Sequence, residues 1–499
     1  MARTKAQKRE HEVFGVPARF MSPRLIFCVC VVVLSLFGLL MIYSASSVTS
    51  LISADTNFDP AYYVKRQAIF LAAGTVAALV LASIDYHTWS GSILTGVWVL
   101  TVVMLLAIFA SSMGQGAYGA SRWIGIGSFS LQPSEFAKVT VVLTAANLAQ
   151  RYFDDATIDF DRFIKLMGIG VGLPLILILA QPDKGTTMVL AATLLVMGYL
   201  AGLPRNLILG IAGVGIVGFL ILSLRDDYSR ARIVTMFNPW RDYYGDGYQL
   251  IQGFYAFGSG GLFGVGLGFS RQKYSYLPMA HNDFIFAVIG EELGLVGTLG
   301  MLAVFALLGW AGARIAKNAP DLAGRLIASG CTGLIIIQLL VNVCGVLGMI
   351  PLTGKPVPFI SYGGSTIVTC MLLSGLTVSV SRASRLPETV YDQARGRWNV
   401  DEREQGDGRA FDAVEGFGGT HGEETFVSDP TPRSARTQTA FDAHSTDLAQ
   451  SPFRVVEGGA GRSRGASDSQ PSGRSRIDLG PSATERLRGG SKDRGKERR

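Results

Sequence analysis

Ionisable side chains beside or within a bilayer are costly, so the polar residues that interrupt the apolar runs of this 499-residue chain are its first candidates for chemistry. Four such places stand out. The first is Arg122-Trp123-Ile124-Gly125 followed by Gln132-Pro133-Ser134-Glu135, with Lys138 one turn on. Pro133 suits the start of a helix, Ser134 can cap it, and Glu135 and Lys138 at i and i+3 share a face. Capping explains Ser134 and Pro133 but not Arg122. The second place, Gln181-Pro182-Asp183-Lys184-Gly185-Thr186, reads as a tight turn, and turn chemistry alone accounts for most of it. In the third, Arg271 and Lys273 precede Tyr276-Leu277-Pro278, and His281-Asn282-Asp283 open an apolar helix. Glu291 and Glu292 follow about 12 to 14 Å further along its axis. Asp283 is then either a group within reach of a lipid headgroup or only a helix cap, and the paired glutamates need a cationic or hydrogen-bonding partner inside the protein. The fourth joins Pro351-Leu352-Thr353-Gly354-Lys355-Pro356-Val357-Pro358-Phe359 to Ile360-Ser361-Tyr362-Gly363-Gly364-Ser365. Its prolines forbid a continuous helix, while its glycines let backbone amides approach an anion closely.

The elements that must hold these residues are membrane helices. The chain is 48% hydrophobic and 17% charged, with a mean hydropathy of +0.32, too little charge for the ordinary globular classes. A bilayer helix needs roughly 20 mostly apolar residues. Runs of that kind lie at about Leu25 to Ser46, Gln67 to Ile84, Ser90 to Ser112, Glu135 to Gln150, Phe163 to Gln181, Thr186 to Leu203, Asn206 to Leu224, Asp283 to Ala316, Leu326 to Ile350 and Ser365 to Ser384. They predict an all-α polytopic membrane protein of about ten transmembrane helices, the eighth longer than one span. The first run lacks the small-residue cleavage site of a secretory signal and reads as an anchor. Arg3, Lys5, Lys8, Arg9, Arg19 and Arg24 place the N-terminus in the cytoplasm, and ten crossings return the C-terminus to the same side. Lys65, Arg66, Arg122, Lys184, Arg225, Arg230, Arg232, Arg241, Arg271, Lys273 and Lys355 are then outside, against the usual bias. Binding an anionic ligand is the simplest task for them; the alternative is a solvated outer domain whose charges have little to do with topology. That domain is the large extracytoplasmic loop between helices 7 and 8, Arg225 to Asn282. Within it, the seven glycines of Gln249 to Phe269 suit an interfacial or re-entrant segment better than a spanning helix.

The chain divides into a basic segment, residues 1–24, a membrane domain, 25–385, and a tail, 386–499. Of the 83 Asp, Glu, Lys and Arg residues 37 lie in that tail, which lacks sustained periodicity and is expected to be disordered and cytoplasmic. Its closing run of basic residues, Arg486 to Arg499, suits anionic lipid or an acidic partner; no aromatic stacking pattern accompanies it, so nucleic acid is not expected. Cys28, Cys30, Cys331, Cys344 and Cys370 all lie in apolar runs and predict neither a disulfide framework nor a zinc site.

RWIGIGSFSLQPSEFAK, QPDKGTT, NPWRDYYGDGYQ with YLPMAHNDFIFAVIGEELG, and GKPVPFISYGGS together resemble the SEDS family of cell-wall proteins, whose branches are the FtsW-like division, RodA-like elongation and SpoVE-like sporulation proteins. The resemblance covers about Leu25 to Arg385 and does not extend to the tail. It implies a ten-helix peptidoglycan glycosyltransferase that polymerises lipid II, the undecaprenyl-pyrophosphate-linked disaccharide pentapeptide, outside the cytoplasmic membrane. The essential acid of the family's HTDF motif falls on Asp283, within His281-Asn282-Asp283-Phe284, as general base toward the acceptor sugar hydroxyl. The leaving polyprenyl pyrophosphate needs its charge stabilised. Arg122, Lys138, Arg230, Arg232 and Lys273 are the candidates for that contact, and Glu135, His281, Ser361, Gly363 and Gly364 complete the substrate-binding set. The family permits a divalent cation, Mg or Mn, but no compact carboxylate cluster demands one. This chain departs from the pattern in three ways. Ser275 and Met279 stand where many relatives carry acids, Asn282 replaces the middle residue of the HTD triplet, and Lys355 follows Gly354 where some division-type relatives have a lysine before it. Phe237-Asn238-Pro239-Trp240 with Gly247-Tyr248-Gln249, and the long tail, look more like the division branch than the elongation branch. The implied partners are a cognate class B penicillin-binding protein and, through the tail, cell-division proteins. Two readings of other classes stand beside this one: a lipid-linked precursor flippase, which needs ionisable groups and broken helices near the bundle midplane, and a non-catalytic scaffold for a penicillin-binding protein.

Overall fold

The computed structural model describes the backbone of residues 12–13, 16–110, 114–117, 120–126, 129–274 and 276–384. The tail from Leu386, with its expected disorder and partner contacts, and most of the basic N-terminal segment lie outside those residues. Each apolar run is helical. The helices are α1 (Ala18–Ile52), α2 (Tyr62–Ser83), α3 (Gly91–Ala110), α4 (Pro133–Ala149), α5 (Phe160–Met167), α6 (Leu173–Ala180), α7 (Lys184–Leu200), α8 (Arg205–Arg225), α9 (Asp227–Phe237), α10 (Tyr248–Gly260), α11 (Ile285–Lys317), α12 (Leu322–Val346) and α13 (Gly364–Ala383). Helices α5 and α6 are one rod joined by a wide π turn at Gly168–Gly172, where three glycines weaken the ladder. Counting that rod once, eight helices among the described residues are long and apolar enough to cross a membrane. The other two runs, α4 and α7, form helices of 17 residues. The all-α polytopic class therefore holds.

Strands are a minor addition that the apolar runs did not foretell. Among the described residues, β1 (Glu12–Val13) pairs with β2 (Val16–Pro17), and a three-stranded antiparallel sheet of β3 (Gly114–Ala117), β4 (Ala120–Ile126) and β5 (Phe129–Leu131) links α3 to α4. Arg122 and Trp123 sit on β4. Pro133 starts α4 as expected, but Ser134 is not its cap: the cap position is Gln132, and the Ser134 hydroxyl bonds elsewhere.

The long segment between α8 and α11 is built of two helices rather than an open loop. Helix α10 folds back along the first half of α11, and the glycine-rich stretch after it enters a break in that helix. At the break Gly294 leaves the helical region, with φ 66° and ψ −163°. The amides of Val265 and Gly266 donate to the carbonyls of Glu291 and Glu292 at 2.9 and 3.0 Å, and those of Leu295 and Val296 donate to Gly261 and Leu262 at 3.0 and 3.1 Å. The broken ladder is thus re-satisfied by backbone, as membrane depth requires. Only glycine fits here. A Cβ on Gly264, at φ +80°, would stand 2.2 Å from the Glu292 carbonyl oxygen.

In the bundle, α2 packs along α13, α1 along α11, and α12 is enclosed by α4, α7, α11 and α13. Some 72% of the α12 span and 78% of the α13 span are buried in protein, against 6% for α8, which stands at the rim. The central helices can therefore carry polar side chains that a lipid-facing helix could not.

Candidate active site at one end of the bundle

Chain connectivity brings five segments to one end of the bundle: the start of α2, the entry to α4, the α6–α7 turn, the residues before α11, and the loop between α12 and α13. Asp283 lies among them. Helix α11 begins at Ile285 with Phe284 in the cap position, and among the described residues no amide of its first turn bonds the Asp283 carboxylate. Asp283 is therefore not the helix cap that its position allowed. Nor does it have an ion-pair partner among those residues. Part of the residue still reaches the surface, yet protein surrounds the carboxyl closely enough that burial raises its pKa above the ordinary carboxylate range. Its own backbone amide and the charge of Arg232 oppose that rise.

Arg232 arrives from α9. Its guanidinium donates to the Leu352 carbonyl and to the Tyr228 hydroxyl one turn back, and lies over the Tyr228 ring at 4.5 Å. Beside both it and the acid is Gly354, with φ +64°. A Cβ there would stand 3.6 Å from Asp283 Oδ2 and 3.9 Å from Arg232 Nη1, so the bare backbone of Gly354 adjoins both the carboxyl and the cation.

His281 is pressed against aromatic rings, 4.5 Å from that of Tyr63 and 5.8 Å from that of Tyr362. Burial lowers its pKa to about 4, so it is neutral near pH 7. Its carbonyl accepts from the Tyr362 amide at 3.0 Å, which ties the segment before α11 to the loop before α13. In that loop Ser361 Oγ accepts from the Val357 amide at 2.8 Å. Gln67 of α2 spans the loop too, donating to the Ser361 carbonyl at 3.3 Å and accepting from the Gly363 amide at 3.1 Å.

Beneath these groups lie two buried ion pairs. Lys138 Nζ is 2.7 Å from Glu135 Oε1 and 2.7 Å from Gln338 Oε1, and both charged side chains are almost fully enclosed. Lys355 Nζ is 2.6 Å from Asp183 Oδ1, and Asp183 also accepts from Ser134, Thr186 and Gln132. Each charge is neutralised beside it, which is the condition for keeping it inside.

Comparison with known proteins places this arrangement. The family model described as "Cell cycle protein", FtsW/RodA/SpoVE, matches residues 24–386. The chain belongs to that family. It is 40% identical to stage V sporulation protein E of Bacillus subtilis over 372 residues, 73% of this chain and 98% of the relative. It is 38% identical to "Probable peptidoglycan glycosyltransferase FtsW" of Trichlorobacter lovleyi, covering 75% of this chain and 97% of that one. Among solved structures, RodA of Thermus thermophilus has 25% identity and a TM-score of 0.53. A structure described as the structural coordination of polymerization and crosslinking by a peptidoglycan synthase complex has 27% and 0.57; each covers 72% of this chain and 97% of the other. Membership makes the chain a membrane-embedded peptidoglycan glycosyltransferase.

Against that background the residues singled out by sequence fall into three groups. Asp283, His281, Ser361, Gly363 and, through Gly354, Arg232 come together. Glu135 and Lys138 are joined to them indirectly, since Gln338 accepts from Lys138 and donates to the Pro356 carbonyl at 2.9 Å. The Gly363 amide is already taken by Gln67, and Gly364 serves packing, because a Cβ there would lie 2.5 Å from the Phe70 ring. A third group stands apart. Lys273 is buried with Glu292 at 3.2 Å and Ser44 at 3.4 Å. Arg230 points to solvent with Asp227, because two positions along α9 turn it away from Arg232. Arg122 is on β4, and its side chain lies outside the described residues.

Sequence reading passed over Gln67, Gln338 and Asn342. Amides four residues apart inside the apolar run of α12 were the available signal. Among the described residues no group of three or more His, Cys, Asp or Glu side chains gathers as a metal site. Among the described residues the donors at Asp283 do not form a divalent-cation cage.

Proposed function

We propose that the chain polymerises lipid II into glycan strands at the outer face of the cytoplasmic membrane during cell division, with Asp283 as general base. The observation that carries this reading is the half-buried Asp283 carboxyl, without an ion-pair partner among the described residues, and near Arg232 beside the bare backbone of Gly354. A raised carboxyl pKa brings the base nearer to the working pH. The proton of the acceptor hydroxyl passes to a carboxylate oxygen of Asp283 as the hydroxyl oxygen bonds the anomeric carbon. The bond from that carbon to phosphate breaks, and its electron pair leaves with the polyprenyl pyrophosphate. Arg232, partly exposed and held by Leu352 and Tyr228, offsets the charge that develops. The basic residues before α1 support a cytoplasmic N-terminus, which sets this end of the bundle outside. Likeness to a peptidoglycan synthase complex supports a class B penicillin-binding protein as partner, and the FtsW relatives support the division branch.

One observation favours a second reading, a precursor flippase: the break of α11 at Gly294, next to two acids. Both acids are engaged, however. Glu291 accepts from Ser259 and Ser270 and from the amides of Arg271 and Gln272, and Glu292 is held by Ser44 and Lys273.

The test is polymerisation of purified lipid II by the detergent-solubilised protein with its cognate transpeptidase, comparing wild type with Asp283→Asn. Glycan chains from the wild type and a loss of about 10²-fold or more in the folded, partner-bound variant are expected. Equal chains from both would remove Asp283 as base. No chains from either, in an intact complex, would favour transport or scaffolding.

A further inference from the structure

Residue Asn342 is 3% exposed, deep in the apolar run of α12, and forms no part of the base or the cation. Its side-chain NH2 donates two short hydrogen bonds to main chain from different segments. One goes to the carbonyl of Asp283 at 2.7 Å, the other to the carbonyl of Lys355 at 2.6 Å. The orientation is determined by these partners, since the reverse would set an amide oxygen against two carbonyl oxygens. One turn earlier Gln338 binds the same loop through Pro356 and receives Lys138. Helix α12, with 72% of its span buried in protein, is thus a rail from which two amides hold the Gly354–Pro356 stretch, and one of them also holds Asp283.

We infer that Asn342 is a positioning residue for the proposed glycosyl transfer, setting the separation of the Asp283 carboxylate from Gly354 and, through the loop, from Arg232. The inference rests on the reading of Asp283 as general base. The physical argument concerns bridging. Asp283 lies outside the helical ladder of α11 and Gly354 has no side chain to pack; the Tyr362 amide ties the two segments at His281, and Asn342 ties them again at Asp283 and Lys355, beside the carboxylate itself. A group with two N–H bonds on one nitrogen is the smallest device that can hold two carbonyls together. Leucine, of nearly the same shape, donates nothing and leaves both carbonyls unpaired. Aspartate donates one bond when protonated and none when ionised, and then repels both.

Asn342→Leu and Asn342→Asp in the full-length protein with its transpeptidase test this. In Asn342→Leu, kcat on lipid II is expected to fall by about 10- to 100-fold with KM within threefold, the signature of misplacement rather than lost binding. For Asn342→Asp, the ratio of its kcat to that of wild type should rise as pH falls, while the ratio for Asn342→Leu stays flat. A second readout needs no turnover: the rate at which a carbodiimide and an amine label Asp283, followed by peptide mass spectrometry, should change by more than about threefold in Asn342→Leu while labelling of exposed Asp227 does not. Unchanged kcat and unchanged Asp283 labelling in a folded Asn342→Leu protein would overturn the inference. So would a pH-independent ratio for Asn342→Asp. If wild type makes no glycan but labelling of Asp283 still depends on Asn342, the polymerase reading fails and the positioning of Asp283 stands.

Discussion

At the residue scale, His281 and Asp283, separated in the chain by Asn282 alone, are tuned in opposite directions by the same cause. Burial raises the pKa of Asp283 and lowers that of His281 to about 4. The acidic limb of kcat, which reports ionisation of the base, is therefore expected above the ordinary carboxylate value of about 4, and no limb is expected near the ordinary histidine value of about 6.5. A rate profile flat down to pH 4 would exclude Asp283 as the titrating base. His281 also predicts a stability effect. The unfolded chain protonates this residue near pH 6.5 whereas the folded protein keeps it neutral to about 4, so stability falls as pH drops through that window. In His281→Gln, unfolding followed between pH 7 and 4 should show a shallower decline. The motif already marked both residues, because acids and imidazoles at a helix entrance are visible in sequence. Arg232 and Arg230 were equally visible, and nothing in composition separated them. The helical turn did, pointing one at Asp283 and the other at solvent.

At the scale of elements, ten helical runs were legible because each is an unbroken apolar stretch of nearly bilayer length. What could not be read was the join between α10 and α11. Seven glycines excluded a spanning helix but did not say that their amides would complete the ladder of another helix 30 residues away. The pairing makes a sharp prediction. Gly264→Ala puts a Cβ 2.2 Å from the Glu292 carbonyl oxygen and should cost roughly 2 kcal/mol or more. Gly268→Ala has the same sign of φ but nothing within 4 Å, so only backbone strain of about 1 kcal/mol is expected. Thermal unfolding of the two purified variants compares them directly, and equal losses would mean that the α11 break is not filled in this way.

At the scale of the whole molecule, buried ion pairs connect segments far apart in sequence. Lys355 and Asp183 join the loop before α13 to the α6–α7 turn, and Lys138 and Glu135 meet Gln338 of α12. Sequence reading set Asp183 down to turn chemistry and Lys355 to an outer anion site; the fold makes them partners. Removing one member leaves an uncompensated buried charge. Lys355→Met should therefore destabilise by about 3–5 kcal/mol, while Lys355→Met combined with Asp183→Leu should lose less than the sum of the single changes. Additive losses in that double-mutant cycle would show that the two charges are not energetically coupled.

The sequence by itself determined the class of the protein, its helices, its family and the acid around which a mechanism can be built. Those depend on local composition, on runs of apolar residues and on motifs a few residues long. Which cations face the acid, which are spent on buried carboxylates, and which amides hold the loops together were decided only by tertiary structure. Such assignments depend on distances between segments up to about 300 residues apart, as with Gln67 and Gly363, and side-chain pairing at that range has no local signature.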